Sequence, residues 1–215
     1  MRRISAVLLV LIFPALASAQ GFGGSKWEFS VNALYQDSES VNGGGGSGVE
    51  IDSDWGLGFT LKYKFTPKFA VGGDLEFLSP RYTATLVDDQ GQTQTFRHTF
   101  NQFNGRLKAT YEFSENNFSP YVEGGFGWTQ FDSNVADGPP LVGCWWHPWW
   151  GYICSGFYNT ITETSFSYGG ALGVRYRLRG GSMIKVGYNT YQLDGSSAEV
   201  DPTISAWRLE WAWGF

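Results

Sequence analysis

The C-terminal stretch from Pro202 to Phe215 alternates almost without fault. Trp207, Leu209, Trp211, Trp213 and Phe215 occupy every second position, with Ala206, Arg208, Glu210, Ala212 and Gly214 between them. Successive side chains of a strand point to opposite faces, so this segment is a strand with one aromatic face and one face carrying charges of both signs. A strand of a soluble sandwich also alternates, but rarely sets three Trp on one side and then stops on a Phe. The greasy face suits lipid and the charged face suits a lumen.

The other end of the chain is consistent with export. Arg2 and Arg3 precede an apolar run from Ile4 to Leu16, and Ala17-Ser18-Ala19 supplies the small residues of a cleavage site, so residues 1–19 are expected to be a signal peptide. The run is short for a membrane span, and no later window approaches the ~20 apolar residues that a transmembrane helix needs. Removing Arg2 and Arg3 leaves 13 basic against 20 acidic side chains, a net charge of −7, which argues against nucleic acid as a partner. The expected mature chain, residues 20–215, fits a single domain. A mean hydropathy of −0.21 does not exclude a membrane protein. Alternation hides the hydrophobicity of a transmembrane strand from any average.

Further strands follow the same rule. The first runs from about Lys26 to Gln36, with Trp27, Phe29, Val31, Ala33 and Tyr35 on its greasy face. Asp37 to Asp52, with Gly43 to Gly46 in a row, reads as a flexible loop. The second strand continues to Phe65, and Thr66-Pro67-Lys68 is a tight turn. The third sends Phe69, Val71, Leu75 and Phe77 outward. Near Ser79-Pro80 the apolar parity shifts from odd to even positions, as a bulge would produce. After a turn at Asp88 to Gly91, the fourth strand slips back near Asn101-Gln102. These paired slips predict a long hairpin whose upper half projects beyond the bilayer. A fifth strand spans Tyr121 to Phe131, and the longest loop runs from Asp132 to about Tyr158. Strands six and seven turn at Arg179 to Ser182, and Asp194 to Asp201 leads into the last strand.

The expected fold is therefore all-β: an eight-stranded antiparallel up-and-down transmembrane β-barrel with periplasmic termini. Its three short turns would lie on the periplasmic side and its four longer loops outside. Lys62, Asp74, Glu76, Arg106, Lys108, Glu123, Arg175, Lys185, Arg208 and Glu210 all take the non-aromatic parity. So do Glu28, Asp54, Lys64, Glu112 and Arg177. An eight-stranded barrel is roughly filled by its own side chains, and an unpaired buried charge costs more than a pair gains. A polar plug of paired acids and bases is expected.

Several segments carry a family resemblance: Trp55-Gly56-Leu57-Gly58-Phe59, Tyr63-Lys64-Phe65-Thr66-Pro67, Pro120-Tyr121-Val122-Glu123-Gly124-Gly125 and the terminal Phe215. The mature chain resembles the small outer-membrane barrels of Gram-negative bacteria, of the OmpA-transmembrane-domain, OmpX and OmpW type. The resemblance implies location in the outer membrane and makes Trp207, Leu209, Trp211, Trp213 and Phe215 the signal read by the barrel-assembly machinery. It implies lipopolysaccharide around a monomeric barrel and an unidentified ligand at the outer loops. It implies no cofactor and no metal. One fold of this kind hosts adhesins, narrow pores, structural anchors and a few lipid-modifying enzymes, so activity has to be read from a site.

The sharpest local feature is the run from Cys144 to Cys154, which encloses Trp145, Trp146, His147, Trp149, Trp150 and Tyr152. Two Cys in an exported chain predict a disulfide across this loop. The aromatic knot it would hold is either a contact surface, since Trp offers large area at low entropy cost, or a cap folded onto the barrel mouth. A Cys-His-Cys metal site is disfavoured because thiols in an oxidising compartment prefer each other. A hydrolase would need His beside Ser and a carboxylate, and the two histidines, His98 and His147, stand in no such motif. The function expected is non-enzymatic, in surface interaction, adhesion or envelope integrity. A narrow porin-like channel through the lumen charges is the alternative.

Overall fold

The protein is described by a computed structural model that covers residues 26–42, 48–87, 92–139, 141–149, 151–157, 159–194 and 201–215. The expected signal peptide, the Gly43–Gly46 run, the turn at 88–91 and Trp150 lie outside the described residues. Of Cys144, Trp145, His147 and Cys154 the backbone is described but not the side chain.

Among the described residues, alternation of side chains yields fourteen strands and no helix. In chain order they are β1 (Trp27–Gln36), β2 (Glu39–Asn42), β3 (Gly48–Ile51), β4 (Asp54–Lys64), β5 (Phe69–Leu78), β6 (Arg81–Val87) and β7 (Thr93–Thr99). There follow β8 (Asn101–Glu112), β9 (Phe118–Ala136), β10 (Leu141–His147), β11 (Gly151–Phe157), β12 (Thr160–Arg177), β13 (Ser182–Asp194) and β14 (Thr203–Gly214). Eight of them close a barrel in the order β1-β14-β13-β12-β9-β8-β5-β4, every neighbouring pair antiparallel. Closure removes the unpaired edges that an open sheet would leave. The first and last barrel strands meet at the seam, where Trp27 N–H donates to Phe215 O (3.1 Å) and Phe215 N–H donates to Trp27 O (2.9 Å).

The outer surface is apolar between two aromatic girdles. Near the termini, Trp27 packs on Tyr63, Tyr63 on Phe65, and Tyr111 on Phe113. Toward the other end, Tyr35 meets Trp55, Phe77 meets Phe103, and Tyr188 meets Trp207. Trp27 and Tyr35 lie eight positions apart on β1, about 27 Å along a strand and about 20 Å in height at a tilt near 40°. That spacing is somewhat short of the ~25 Å apolar band of an outer-membrane barrel.

All three short turns share the terminal end. Thr66 Oγ1 accepts the N–H groups of Lys68 and Phe69 in the first. Ser119 Oγ accepts the Ser114 N–H in the second. The third needs φ values of +102° and +84°, which Gly180 and Gly181 provide without steric cost.

The opposite end departs from the sequence reading in three places. Residues 39–42 and 48–51 form strands rather than a flexible loop, because Val49 and Ile51 of β3 pair with Ala84 and Tyr82 of β6. The two parity slips are strand breaks at 79–80 and 100, and above them the chain leaves the barrel for a separate sheet in the order β2-β3-β6-β7. β9 does not stop at Phe131 but continues to Ala136, paired with β12 across a bulge at Thr160 to Thr162. Asp132 fastens this bulge. Its carboxylate accepts from the Thr160 side chain and the Asn134 N–H, which hold it below the usual carboxylate range.

Candidate functional site

Strand parity alone decides which side chains enter the lumen, and the charged set does so together. Among the described residues the buried charges are six acids (Glu28, Asp74, Glu76, Glu112, Glu123, Glu210) and six bases (Lys62, Arg106, Lys108, Arg175, Lys185, Arg208). The interior is therefore neutral and needs no counterion. Asp54, Lys64 and Arg177 are only half-buried, because they sit at strand ends where the lumen opens to water.

Glu123 of β9 lies at the middle of the network. Its Oε2 accepts from Lys62 Nζ (2.7 Å) and Thr110 Oγ1 (2.8 Å), while Oε1 faces Arg208 Nη2 (2.5 Å) and Lys108 Nζ (3.4 Å). Arg208 Nε reaches Glu210 at 2.8 Å, and its Nη1 lies 3.6 Å from Asp74 and 3.7 Å from Glu76. Glu76 also accepts from Arg106 Nη1 (2.5 Å) and Asn104 Nδ2 (3.1 Å), and Lys108 pairs with Asp74. Nearer the termini, Glu28 pairs with Lys185 and with Lys64 (2.8 Å). Arg175 bonds Glu112 (3.0 Å) and donates to the carbonyls of Ser114 (3.1 Å) and Asn116 (2.9 Å), tying the second turn to the wall.

These pairs span the barrel. Lys62 and Glu123 stand three strands apart around the ring, as do Arg208 and Glu123. Each link holds opposing walls together and blocks the space between them. Two lumenal cavities, one lined by Lys62, Thr110 and Lys185 and the other by Glu76, Arg106 and Tyr191, have about 10 Å³ each, room for about one water.

The expected polar plug also has a component that the charges did not reveal. Leu34, Leu78 and Ile204 take lumen parity, are buried, and gather beside Tyr191 toward the loop-bearing end. The Arg106 guanidinium lies 3.9 Å from the centre of the Tyr191 ring, a cation-on-aromatic contact that strengthens when desolvated. Tyr121 is the second lumenal aromatic, buried at 2% exposure. Its position beside Glu123, and that of Tyr191 in phase with Lys185, was the signal by which both could be placed.

Beyond the lumen, β10 and β11 form a hairpin of their own, with Trp146 opposite Tyr152 and Cys144 opposite Cys154 in the register. The cystine expected there falls on side chains outside the described ones. Trp146, Trp149 and Tyr152 are 67%, 82% and 72% exposed. On the four-stranded sheet, β7 is exposed at every position from Thr93 to His98. His98 stacks on Tyr82, and its Nδ1 accepts the Thr99 N–H (2.9 Å). The lipid-facing residues Trp207, Leu209 and Trp211 are about half exposed, and Trp213 stacks on Phe29.

The family described as outer membrane protein beta-barrel domain has a model that matches residues 5–215. Among solved structures, Neisserial surface protein A (NspA) is similar over 90% of this chain and 100% of its own, at 13% identity and a TM-score of 0.56. The outer membrane protein OprG of Pseudomonas aeruginosa is similar over 90% of this chain and 99% of its own, at 17% identity and a TM-score of 0.51. At such identities the likeness is one of fold. No curated protein matches the sequence.

Proposed function

Because the chain belongs to the outer membrane protein beta-barrel domain family, we propose that it is a non-enzymatic display barrel of the outer membrane. In this reading the closed barrel is an anchor, and the β-structured loops are the working part. They contact a macromolecular ligand outside the cell. The observation that carries the reading is the exposure of Trp146, Trp149 and Tyr152 on one hairpin, on the far side of a lumen crossed by ion pairs. Solvent-exposed Trp and Tyr are costly to leave in water and are the residue types that dominate binding interfaces. The Cys144 to Cys154 register would let a cystine hold the hairpin, lowering the entropy lost on contact.

The rest of the molecule supports an anchor. A neutral, paired interior favours one rigid arrangement of the strands. His98, stacked on Tyr82 and accepting the Thr99 N–H, has a structural use. The terminal strand ending at Phe215 is the segment offered to the assembly machinery, and the girdles are the surface offered to lipopolysaccharide and phospholipid.

The test is adhesion by cells displaying the protein to a panel of immobilised matrix proteins and glycans. The wild type is compared with a Trp146→Ala, Trp149→Ala, Tyr152→Ala variant at equal surface level and equal heat-modifiability. We expect binding to be lost in the variant. Equal adhesion by both would remove the hairpin from the reading.

A further inference from the structure

Charge is sorted between the two ends of the barrel. At the loop-bearing end the acids Asp37, Glu39, Glu50, Asp52, Asp132 and Asp137, all exposed or half-buried, outnumber the exposed bases Arg81 and Arg97. The terminal end instead carries Lys26, Lys64, Lys68, Arg177 and Arg179. Just below the ion-pair plug this end opens into a cavity of about 590 Å³, within the size range of small-ligand sites. Its wall contains three cations, Lys26, Lys64 and Arg177, and one carboxylate, Glu115.

The cations converge for a reason of register. Lys26 and Lys64 are backbone neighbours, with the Lys64 N–H donating to Lys26 O (2.6 Å), and both take lumen parity at the mouth. Arg177 ends β12, which lies three strands away from β1 around the ring. Positive charge thus faces the cavity from separate walls. Lys64 is held by Glu28 at 2.8 Å, whereas Lys26 and Arg177 have no side-chain ion pair among the described residues. Phe65, Pro67, Leu178 and Met183 add an apolar wall, and Phe65 is also a lipid-facing residue of the lower girdle, 63% exposed. The cavity therefore joins the lumen mouth to the level at which lipid headgroups lie.

We propose that this vestibule is a binding site for a phosphate-bearing anion with a short apolar or glycerol body. Lys26 and Arg177 supply the charge-assisted hydrogen bonds, and the apolar wall receives the body of the ligand. Independently of the outer hairpin, this gives the inner end of the barrel a ligand of its own. The phosphoester comes either from a soluble metabolite or from an anionic lipid of the inner leaflet, chemistry that the two arms of the test separate.

The protein, refolded in nonionic detergent, is titrated with glycerol 3-phosphate, with glycerol as the neutral control. In parallel it is placed in phosphatidylcholine nanodiscs with increasing phosphatidylglycerol. Amide shifts at Lys64, Gly180 and Gly181 are the readout. We expect saturable shifts with a phosphate-bearing probe and an affinity about tenfold weaker in the Lys26→Gln, Arg177→Gln variant. Glu115→Gln, which removes the one carboxylate that the wall has among the described residues, is expected to tighten binding and serves should the double variant fail to fold. Shifts with glycerol 3-phosphate identify a soluble ligand, and shifts with phosphatidylglycerol alone identify the lipid headgroup. No saturable shift with either probe, or unchanged affinity in both variants, overturns the proposal.

Discussion

Lys62 on β4 and Glu123 on β9 meet across the lumen at 2.7 Å, with side-chain exposures of 2% and 0%. They belong to strands that do not pair, so their contact exists only because the sheet closes. Removing Glu123 would leave Lys62, Arg208 and Lys108 short of a partner at once. Breaking one side of a buried pair typically costs about 3–5 kcal/mol. Glu123→Gln is therefore expected to lower the unfolding free energy of the refolded barrel by that order, read as a lower urea midpoint by tryptophan fluorescence in vesicles. A Lys62→Met, Glu123→Met double variant should recover little, since Arg208 and Lys108 each still lack one of their partners. Near-complete recovery would show that the cross-lumen pair acts alone.

The same links predict electrical silence. With lumenal cavities of about 10 Å³, the refolded wild type should give no discrete steps in a planar bilayer. An Arg208→Ala, Glu123→Ala variant removes two braces and should show small ones. Steps in the wild-type protein that change in the variant would establish the channel alternative instead.

Tyr121 predicts a steric dependence. A β-carbon on Gly187 would stand 2.4 Å from Tyr121 Oη, and one on Gly173 2.6 Å from the same atom, so the ring lies against a strip that only glycine leaves open. Gly187→Ala should cost about 1–3 kcal/mol, and Tyr121→Phe in the same chain should restore part of it. Gly124→Ala, where nothing lies within 4 Å of the added carbon, is the control and should be close to neutral. The check is the shift of each unfolding midpoint.

The lipid face predicts a different penalty. Leu209 is 51% exposed on the outer side of β14, between Arg208 and Glu210, which both point inward. Leu209→Arg places a charge against hydrocarbon and should cost about 2–4 kcal/mol near the midplane. The loss should appear in bilayers as a lower folded fraction at equal urea. An unchanged fraction would mean that this position lies near the headgroups.

The hairpin predicts a local bond. In an antiparallel pair, directly opposed Cα atoms lie about 4.5–5.5 Å apart, a spacing a disulfide can bridge, and Cys144 opposes Cys154. Alkylation without reductant should leave the mass unchanged, and reduction should add two labels. Cys144→Ser with Cys154→Ser is expected to speed protease cleavage between 141 and 157 while leaving barrel heat-modifiability intact.

Much of this was legible in the chain itself. The parity of Trp207, Leu209 and Trp211 against Arg208 and Glu210 assigned lipid and lumen faces, and the slips at Ser79-Pro80 and Asn101 marked where the hairpin leaves the barrel. The partners were not legible. Arg106 lies opposite Asp74 in the register yet bonds Glu76, and β3 pairs with β6 from another loop. Tyr121 and Tyr191 were hidden for a related reason: an aromatic side chain draws attention to the lipid face, and only its phase reveals the lumen.

Alternation is a local property, fixed by the two-residue repeat of a strand, so the sequence by itself determined the barrel class, the number of barrel strands and the face that each charge in those strands takes. Closure is not local. It brings β4 to β9 and β14 to β9 across an interior narrow enough for two side chains to meet. Only the tertiary structure decided which acid holds which base, that ion pairs cross the lumen, and that Lys26 and Lys64 share one vestibule with Arg177 from another wall.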